Sequence, residues 1–590
     1  MRIALRALLC LLVGVFALPL HMLTHPPTAA LAASDCTSDL PFGETLLCAL
    51  ATAGEVDQFS FAASAGDRVF VRVASRTSGL YPQVRLYAPD ATLLCQSPNY
   101  GALADIDGCM LPTTGTYSVA VNAYSGTAAG NYGISLQRLN APVAATALAF
   151  GTLASASLIA EGEIDTYTFS VDADDVLFVA ATSSASALRL AVRVYRQDGS
   201  ALCQDSTYSV VLELESCALA AGQTYTLLVL SFSNAAMGNY GVVAQRTRAP
   251  GNSATLPLGV PVAATLAGMG EVDTYSFSAS AQDMLLVRMG TSGFQPRFRL
   301  YGPDGALVCS LYRYGVEVEQ DNCLLPSTGI YTLLVSVFNQ ALTGSYGVEV
   351  QRVNAPARAV PLLPGVLATG AFTVTGGLGT YAVAATAGDA LVVRMGATTA
   401  GMRAQVRVFG DDGAKLCDNA SSAVIAQAGP CLIPRTGSYT VVVTPWSRVL
   451  IGEFGVSFQR LNAPEQAHEL YFGRAASAAL AHAASLDTWT FHAAGGSTVL
   501  LRMGVTSGAA RPQISLFDRD GTKLCSNASS YSATTEIGRC LLPDDDTYTV
   551  VAASQNGGVG SYALSLACLS DTCGGVVPPE ERVFLPLLQR

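Results

Sequence analysis

The chain alternates apolar and polar residues over short runs, and the alternation has a period of two. Arg68–Ala74 (RVFVRVA) places Val69, Val71 and Val73 on one face of an extended strand and Phe70 and Arg72 on the other. Tyr117–Val121 (YSVAV) and Tyr132–Leu136 (YGISL) alternate in the same way. After the N-terminal segment no run keeps the 3.6-residue spacing of an amphipathic helix. Turn signals such as Asp198-Gly199 and Pro303-Asp304-Gly305 separate the runs. Short alternating strands between turns predict an all-β fold of antiparallel β-sandwiches with about eight strands each.

The pattern repeats. The ending GSYGVEVQRVNAP at Gly344–Pro356 recurs as GNYGISLQRLNAP (Gly130–Pro142), GNYGVVAQRTRAP (Gly238–Pro250) and GEFGVSFQRLNAP (Gly452–Pro464), and closes as GSYALSLACLS (Gly560–Ser570). Gly43, Gly151, Gly259, Gly365 and Gly473, placed at the first strand of each unit, step by 108, 108, 106 and 108 residues. Cys95, Cys203, Cys309, Cys417 and Cys525 step by 108, 106, 108 and 108 residues. Five tandem sandwiches are therefore expected as a beaded rod, at 34–142, 143–250, 251–356, 357–464 and 465–570, with a tail at 571–590. An Ala-Pro at four boundaries denies the exit segment a ladder donor, so the units should join stiffly.

The succession GEVDTYSFSASAQDMLLVRM (Gly270–Met289), RFRLYGPDGALVC (Arg297–Cys309), TGIYTLLVSV and GSYGVEV resembles the bacterial pre-peptidase C-terminal domain, and does so in all five copies. The resemblance implies a jelly-roll-like sandwich that is secreted, non-catalytic and accessory to an extracellular enzyme. Two features depart from the family: no catalytic domain accompanies the copies, and each copy carries a cysteine pair that the pattern does not require.

Residues 1–33 read as a secretory signal peptide, with Arg2 and Arg6 before the apolar run Ala7–Leu20 and small residues at Ala30–Ala33. Of 15 cysteines, Cys10 leaves with this segment. In an exported chain the remaining fourteen are expected as disulfides. Cys95/Cys109, Cys203/Cys217, Cys309/Cys323, Cys417/Cys431 and Cys525/Cys540 form one pair per copy, and Cys36/Cys48 and Cys568/Cys573 sit at the ends. A net charge of −11 with two lysines, Lys415 and Lys523, argues against nucleic acid and anionic membrane surfaces. Mean hydropathy is +0.37. The longest uncharged run occupies a strand phase of the repeat, so no membrane span is expected after signal cleavage.

No nucleophile elbow, HExxH or phosphate loop occurs, and the mature chain's histidines are His468, His482 and His492, so no enzyme is expected. Two sets of residues remain as candidate sites. Tyr100, Tyr208 and Tyr314 lie five residues after the first loop cysteine and Tyr531 six after, with Ser422 in the fourth copy. Aromatic rings on loop tips of a rigid sandwich suit sugars and extended peptides, or pack over their own disulfide. Glu55/Asp57, Glu163/Asp165 and Glu271/Asp273 recur as E-x-D before an aromatic strand; Asp487 keeps the aspartate and Gly379 replaces it in the fourth copy. Collagen-binding domains of collagenases, relatives of the family, bind calcium through an aspartate that matches this place. The resemblance thus implies a calcium site, whereas the residues alone equally describe a strand-entry cap. No cofactor is required. Arg72, Arg288, Arg394 and Arg502, with Arg85, Arg193, Arg299 and Arg407, are expected on outer sheet faces, where they can pair with acids. The apolar end Val583–Leu588 is either a surface-sorting tag or a cover for the last sandwich.

The expected function is a secreted, cell-surface, non-catalytic array that binds extracellular protein or carbohydrate for adhesion. A structural envelope spacer and an accessory subunit of a secreted protease system are the competing readings.

Overall fold

A computed structural model describes Cys36, residues 38–98, 101–233, 235–446 and 450–570, and Cys573. Residues 1–33, read above as a signal peptide, Tyr100 and the tail 571–590 apart from Cys573 lie outside the described residues. Those residues form strands, turns and irregular segments, and no helix among them is long and apolar enough to cross a membrane.

In the first copy eight strands make two sheets. β1 (Thr45–Leu50), β8 (Gly130–Arg138), β3 (Arg68–Ala74) and β6 (Leu103–Met110) form one, in the order β1-β8-β3-β6. β2 (Val56–Ala63), β7 (Gly115–Ala123), β4 (Pro82–Tyr87) and β5 (Leu93–Pro98) form the other, in the order β2-β7-β4-β5. Every pairing within these sheets is antiparallel. The other four copies repeat this jelly-roll order, each adding a two-residue parallel strand such as Thr146–Ala147 beside Ile164–Val171. The glycine that marks each copy lies in a turn just ahead of β1 or its counterpart, with φ of 79° at Gly43 and 70° at Gly151, a conformation that favours glycine.

The alternating positions that face inward make the core: Val69, Val71, Val73, Phe59, Phe61, Ile134 and Leu136 are all buried. A bulge opposite Phe70 inserts one extra residue into β6 and returns Cys109 to the inner face. Tyr117 stacks on Phe61 at 5.7 Å and donates its hydroxyl to the Thr113 carbonyl at 2.5 Å, tying the corner before β7. Tyr331, Tyr439 and Tyr548 repeat this bond in later copies.

Successive copies share a buried face. The outward residues of the β1-β8-β3-β6 sheet pack against the outward residues of the second sheet of the next copy. Phe70 and Leu139 meet Ala191, Tyr195, Leu228 and Leu230, and three further clusters recur at the later junctions. A glutamine on the strand equivalent to β8 passes each junction. Gln137 Nε2 donates to the Val143 carbonyl and to Thr166 Oγ1, both at 2.9 Å. Gln245–Thr274, Gln351–Thr380 and Gln459–Thr488 repeat the contact at 2.8, 3.4 and 3.0 Å. At the two ends the pattern stops: Gln58 stands at the threonine place in the first copy, and Ala567 at the glutamine place in the last.

The arginines expected on outer faces are on those faces, but a neighbouring copy covers five of them: the following copy for Arg72, Arg288 and Arg394, the preceding one for Arg299 and Arg407. Arg72, Arg288, Arg299, Arg394 and Arg407 are 1–2% exposed. Arg72 pairs with Asp105 at 2.9 Å, and Arg193 reaches from the next copy to Asp105 at 3.0 Å and Asp107 at 2.9 Å. Arg502, on the corresponding sheet of the fifth copy, is exposed.

Candidate functional site

The two-cysteine loop lies where the two sheets of a copy share an edge. Cys95 on β5 and Cys109 on β6 are bonded across it, with Cα atoms 6.3 Å apart, and Cys203–Cys217, Cys309–Cys323, Cys417–Cys431 and Cys525–Cys540 do the same in the other copies. Cys36–Cys48 and Cys568–Cys573 close the two ends. A loop of this length adds about 3 kcal/mol through the entropy removed from the unfolded chain. This cross-link fixes the base of the loop while its tip stays in solvent.

The loop tyrosines stand out from these bases. Tyr208 is 69% exposed, Tyr314 73% and Tyr531 93%. Tyr208 meets Phe232 edge-on at 5.2 Å, with the Arg189 guanidinium 4.8 Å from its ring centroid. In the third copy Tyr312 stacks on Phe338 at 3.7 Å, Tyr314 meets Phe338 edge-on at 5.7 Å, and Arg297 lies 5.7 Å from the Phe338 ring. Tyr208 and Tyr314 thus pack on neighbouring aromatics beyond the disulfide. Reasoning from the cysteine loop missed Phe232 and Phe338. Their signal is an aromatic at fixed phase after the "Tyr-Thr/Ser" strand: Tyr124, Phe232, Phe338 and Trp446, with Gln555 in the last copy. Across the second junction, Ser209 beside Tyr208 donates its hydroxyl to the Asn339 side-chain oxygen beside Phe338. The aromatic clusters of copies two and three therefore abut.

The E-x-D residues sit at the entry to β2 and its counterparts, and each carboxylate is committed to a different partner. Glu55 accepts from the Thr52 amide at 2.8 Å, Glu163 from those of Ile159 and Ala160, and Glu271 from those of Ala267 and Gly268. Each aspartate accepts the hydroxyl of the buried tyrosine in the "G-x-Y" strand: Tyr132 to Asp57 at 2.5 Å, Tyr240 to Asp165 at 2.5 Å, Tyr346 to Asp273 at 2.6 Å and Tyr562 to Asp487 at 2.8 Å. In the fourth copy both partners change together, to Gly379 and Phe454. Burial raises the pKa of Asp57, Asp165, Asp273 and Asp487, in Asp165 to about 7. A carboxyl that already accepts a phenol, and whose burial disfavours the charged form, does not fit a calcium donor set, which needs six to eight oxygens. Among the described residues no group of three or more His, Cys, Asp or Glu is placed to hold a metal. A chelator is accordingly expected to leave the melting temperature of the full chain unchanged; a fall on chelation, restored by added calcium, would contradict this.

The histidines lie at unrelated places. His492 is exposed beside Asp545 at 3.3 Å, His468 packs on Trp489, and His482 Nδ1 accepts from the Ala484 amide.

No protein-family model matches the chain, and no curated protein matches it. Among solved structures, the pre-peptidase C-terminal domain of collagenase from Bacillus anthracis aligns at 16% identity, over 17% of this chain and 95% of that one, with a TM-score of 0.16. The repeats resemble the pre-peptidase C-terminal domain. The periplasmic inhibitor of g-type lysozyme from Aeromonas hydrophila aligns at 14% identity over 17% of this chain and 97% of its own, with a TM-score of 0.13. The Salmonella Typhimurium inhibitor of the same type aligns at 18% identity, over 17% of this chain and 98% of its own, with a TM-score of 0.13.

Proposed function

We propose that the chain is a secreted, non-catalytic binding array, and that its contact surface is the edge carrying the two-cysteine loops. The observation that carries this reading is the abutting pair of solvent-exposed aromatic clusters in copies two and three, each seated on a disulfide-fixed base. Flat rings with polar tips, held by neighbouring rings and by arginine, offer contact area at little entropic loss on binding. Stacked sheets lie roughly 10 Å apart, so two-sheet copies repeat the cluster about every 20 Å. An extended glycan or protein segment can engage several copies at once, and weak individual contacts then add through effective concentration. The seven disulfides suit an oxidising, extracellular compartment.

The test is capture of the mature protein on arrays of glycans and extracellular matrix proteins. Tyr208→Ala with Phe338→Ala is expected to weaken retention of the bound species by about tenfold or more, with melting unchanged to within about 1 kcal/mol. Retention equal to that of the unsubstituted chain would reject this edge as the contact surface. The structural-spacer reading draws on the buried junctions; it requires that no species be retained at all.

A further inference from the structure

The junction between the fourth and fifth copies differs from its predecessor in one consistent way. Between copies three and four, Arg288 and Arg407 both reach Glu319, Arg288 also meets Glu317 at 2.8 Å, and Lys415 lies 3.4 Å from Asp321. One copy further on, the three acids Glu317, Glu319 and Asp321 have become Ile425, Gln427 and Gly429. Arg407 has become Ser515, but the other two cations persist as Arg394 and Lys523. The buried Arg394 is held by neutral oxygens alone: Gln427 Oε1 at 2.9 Å, the Ala483 carbonyl at 3.1 Å and the Ser554 carbonyl. Burial lowers its pKa to about 10, as expected of a cation without a counter-charge.

The space vacated by the missing ion pairs is a solvent-open cleft of about 300 Å³. Its walls carry Gln427, Gln513, Ser515, Lys523, Ser526 and Asn527, its floor includes the buried Phe517 and Val392, and no carboxylate lines it. Because Arg394 occupies Gln427 Oε1, the Gln427 amide has its donor end to offer a ligand. Amides and hydroxyls both donate and accept, matching sugar hydroxyls, and a site of this volume sits at the small end of ligand pockets.

We propose that this cleft binds one carboxylate-bearing sugar residue, a uronate within an acidic polysaccharide. The ligand supplies the negative charge that the junction has lost: its carboxylate sits toward Lys523 and the Gln427 amide, and its hydroxyls toward Gln513, Ser515 and Ser526. The cleft lies along the same loop-bearing edge, between the strands of Cys431 and Cys525, but none of the loop aromatics lines it, so it stands or falls without them.

The test is calorimetric titration of the mature chain with a galacturonate trimer, a neutral galactose trimer and succinate. Binding of the uronate alone is expected, weakening with salt and falling roughly tenfold in Lys523→Met. Gln427→Glu returns an acid to Arg394 and is expected to abolish binding with the melting temperature kept or raised, which separates loss of the site from loss of the fold. Ser515→Arg together with Gln427→Glu refills the cleft and should do the same. No uronate binding by the unsubstituted chain, equal binding of the neutral trimer, or full binding by Gln427→Glu would overturn the proposal. Succinate binding as tightly as the uronate would overturn the sugar assignment.

Discussion

Glu319→Ala is expected to destabilise the packing of the third copy on the fourth by about 3–5 kcal/mol, because it strands buried charge. Arg288 comes from one copy and Arg407 from the next; both are 1–2% exposed, and Glu319 lies between them. Burial alone would raise the pKa of Glu319, but Arg407 and Arg288 override it and hold it down to about 2. A depressed carboxylate adds stability that is present above the unfolded glutamate value and lost as pH falls through the folded one. The junction should therefore weaken between about pH 4.5 and pH 2. Glu319→Gln keeps the shape and removes the charge, and is expected to lose most of the same free energy. Glu319→Gln with Arg407→Ser copies Gln427 and Ser515 of the next junction and should recover at least half of it. Hydrogen exchange along Met284–Thr291 and Ala404–Phe409 reads the effect locally. Unchanged protection in Glu319→Ala would show that the ion cluster does not hold the copies together.

The physical reason that such junctions escape sequence reading lies in the strand itself. Outward residues of a strand alternate identically whether they face water or a second sheet, so Arg72 and Arg288 read only as outer-face residues, with no sign that another copy covers them. The inward half of the pattern has no such ambiguity, which is why the sandwiches and their core valines were legible. One junction signal was present: Gln137, Gln245, Gln351 and Gln459 are each followed by a threonine 29 residues on, and both members are replaced at the ends of the array. The tyrosine loops were legible from the cysteine phase, but Phe232 and Phe338 belong to a different hairpin, which only the fold brings beside them. The E-x-D motif was visible, and its meaning depended on a partner about 75 residues away. Gly379 and Phe454 record that partnership as a joint loss.

That joint loss makes the second copy the place for the other large effect. Tyr167 and Tyr240 share a hydrogen bond at 2.7 Å, and Tyr240 donates onward to Asp165. Burial raises Asp165 to about 7 against the opposing Tyr240 bond, with the Glu163 charge adding to the rise. A raised carboxyl contributes stability that is complete below the unfolded value near pH 4 and is lost as pH climbs through about 7. The second copy should thus lose on the order of 2–4 kcal/mol between pH 5 and pH 8, and Asp165→Asn should flatten that slope. Tyr240→Phe removes the phenol from a buried carboxylate and is expected to cost about 2–3 kcal/mol at pH 8, and less at pH 5, where Asp165 is protonated. The fourth copy shows what a compensated loss needs. A Cβ at Gly379 would lie 2.6 Å from Val443 Cγ2 and 2.7 Å from Phe454 Cζ, and Phe372 stacks on Phe454 at 4.4 Å where the second copy has Leu158. Leu158→Phe, Asp165→Gly and Tyr240→Phe together should therefore restore protection of Ile164–Val171 and remove its pH dependence. If the triple variant is no more stable than Tyr240→Phe alone, the aspartate serves something other than the tyrosine.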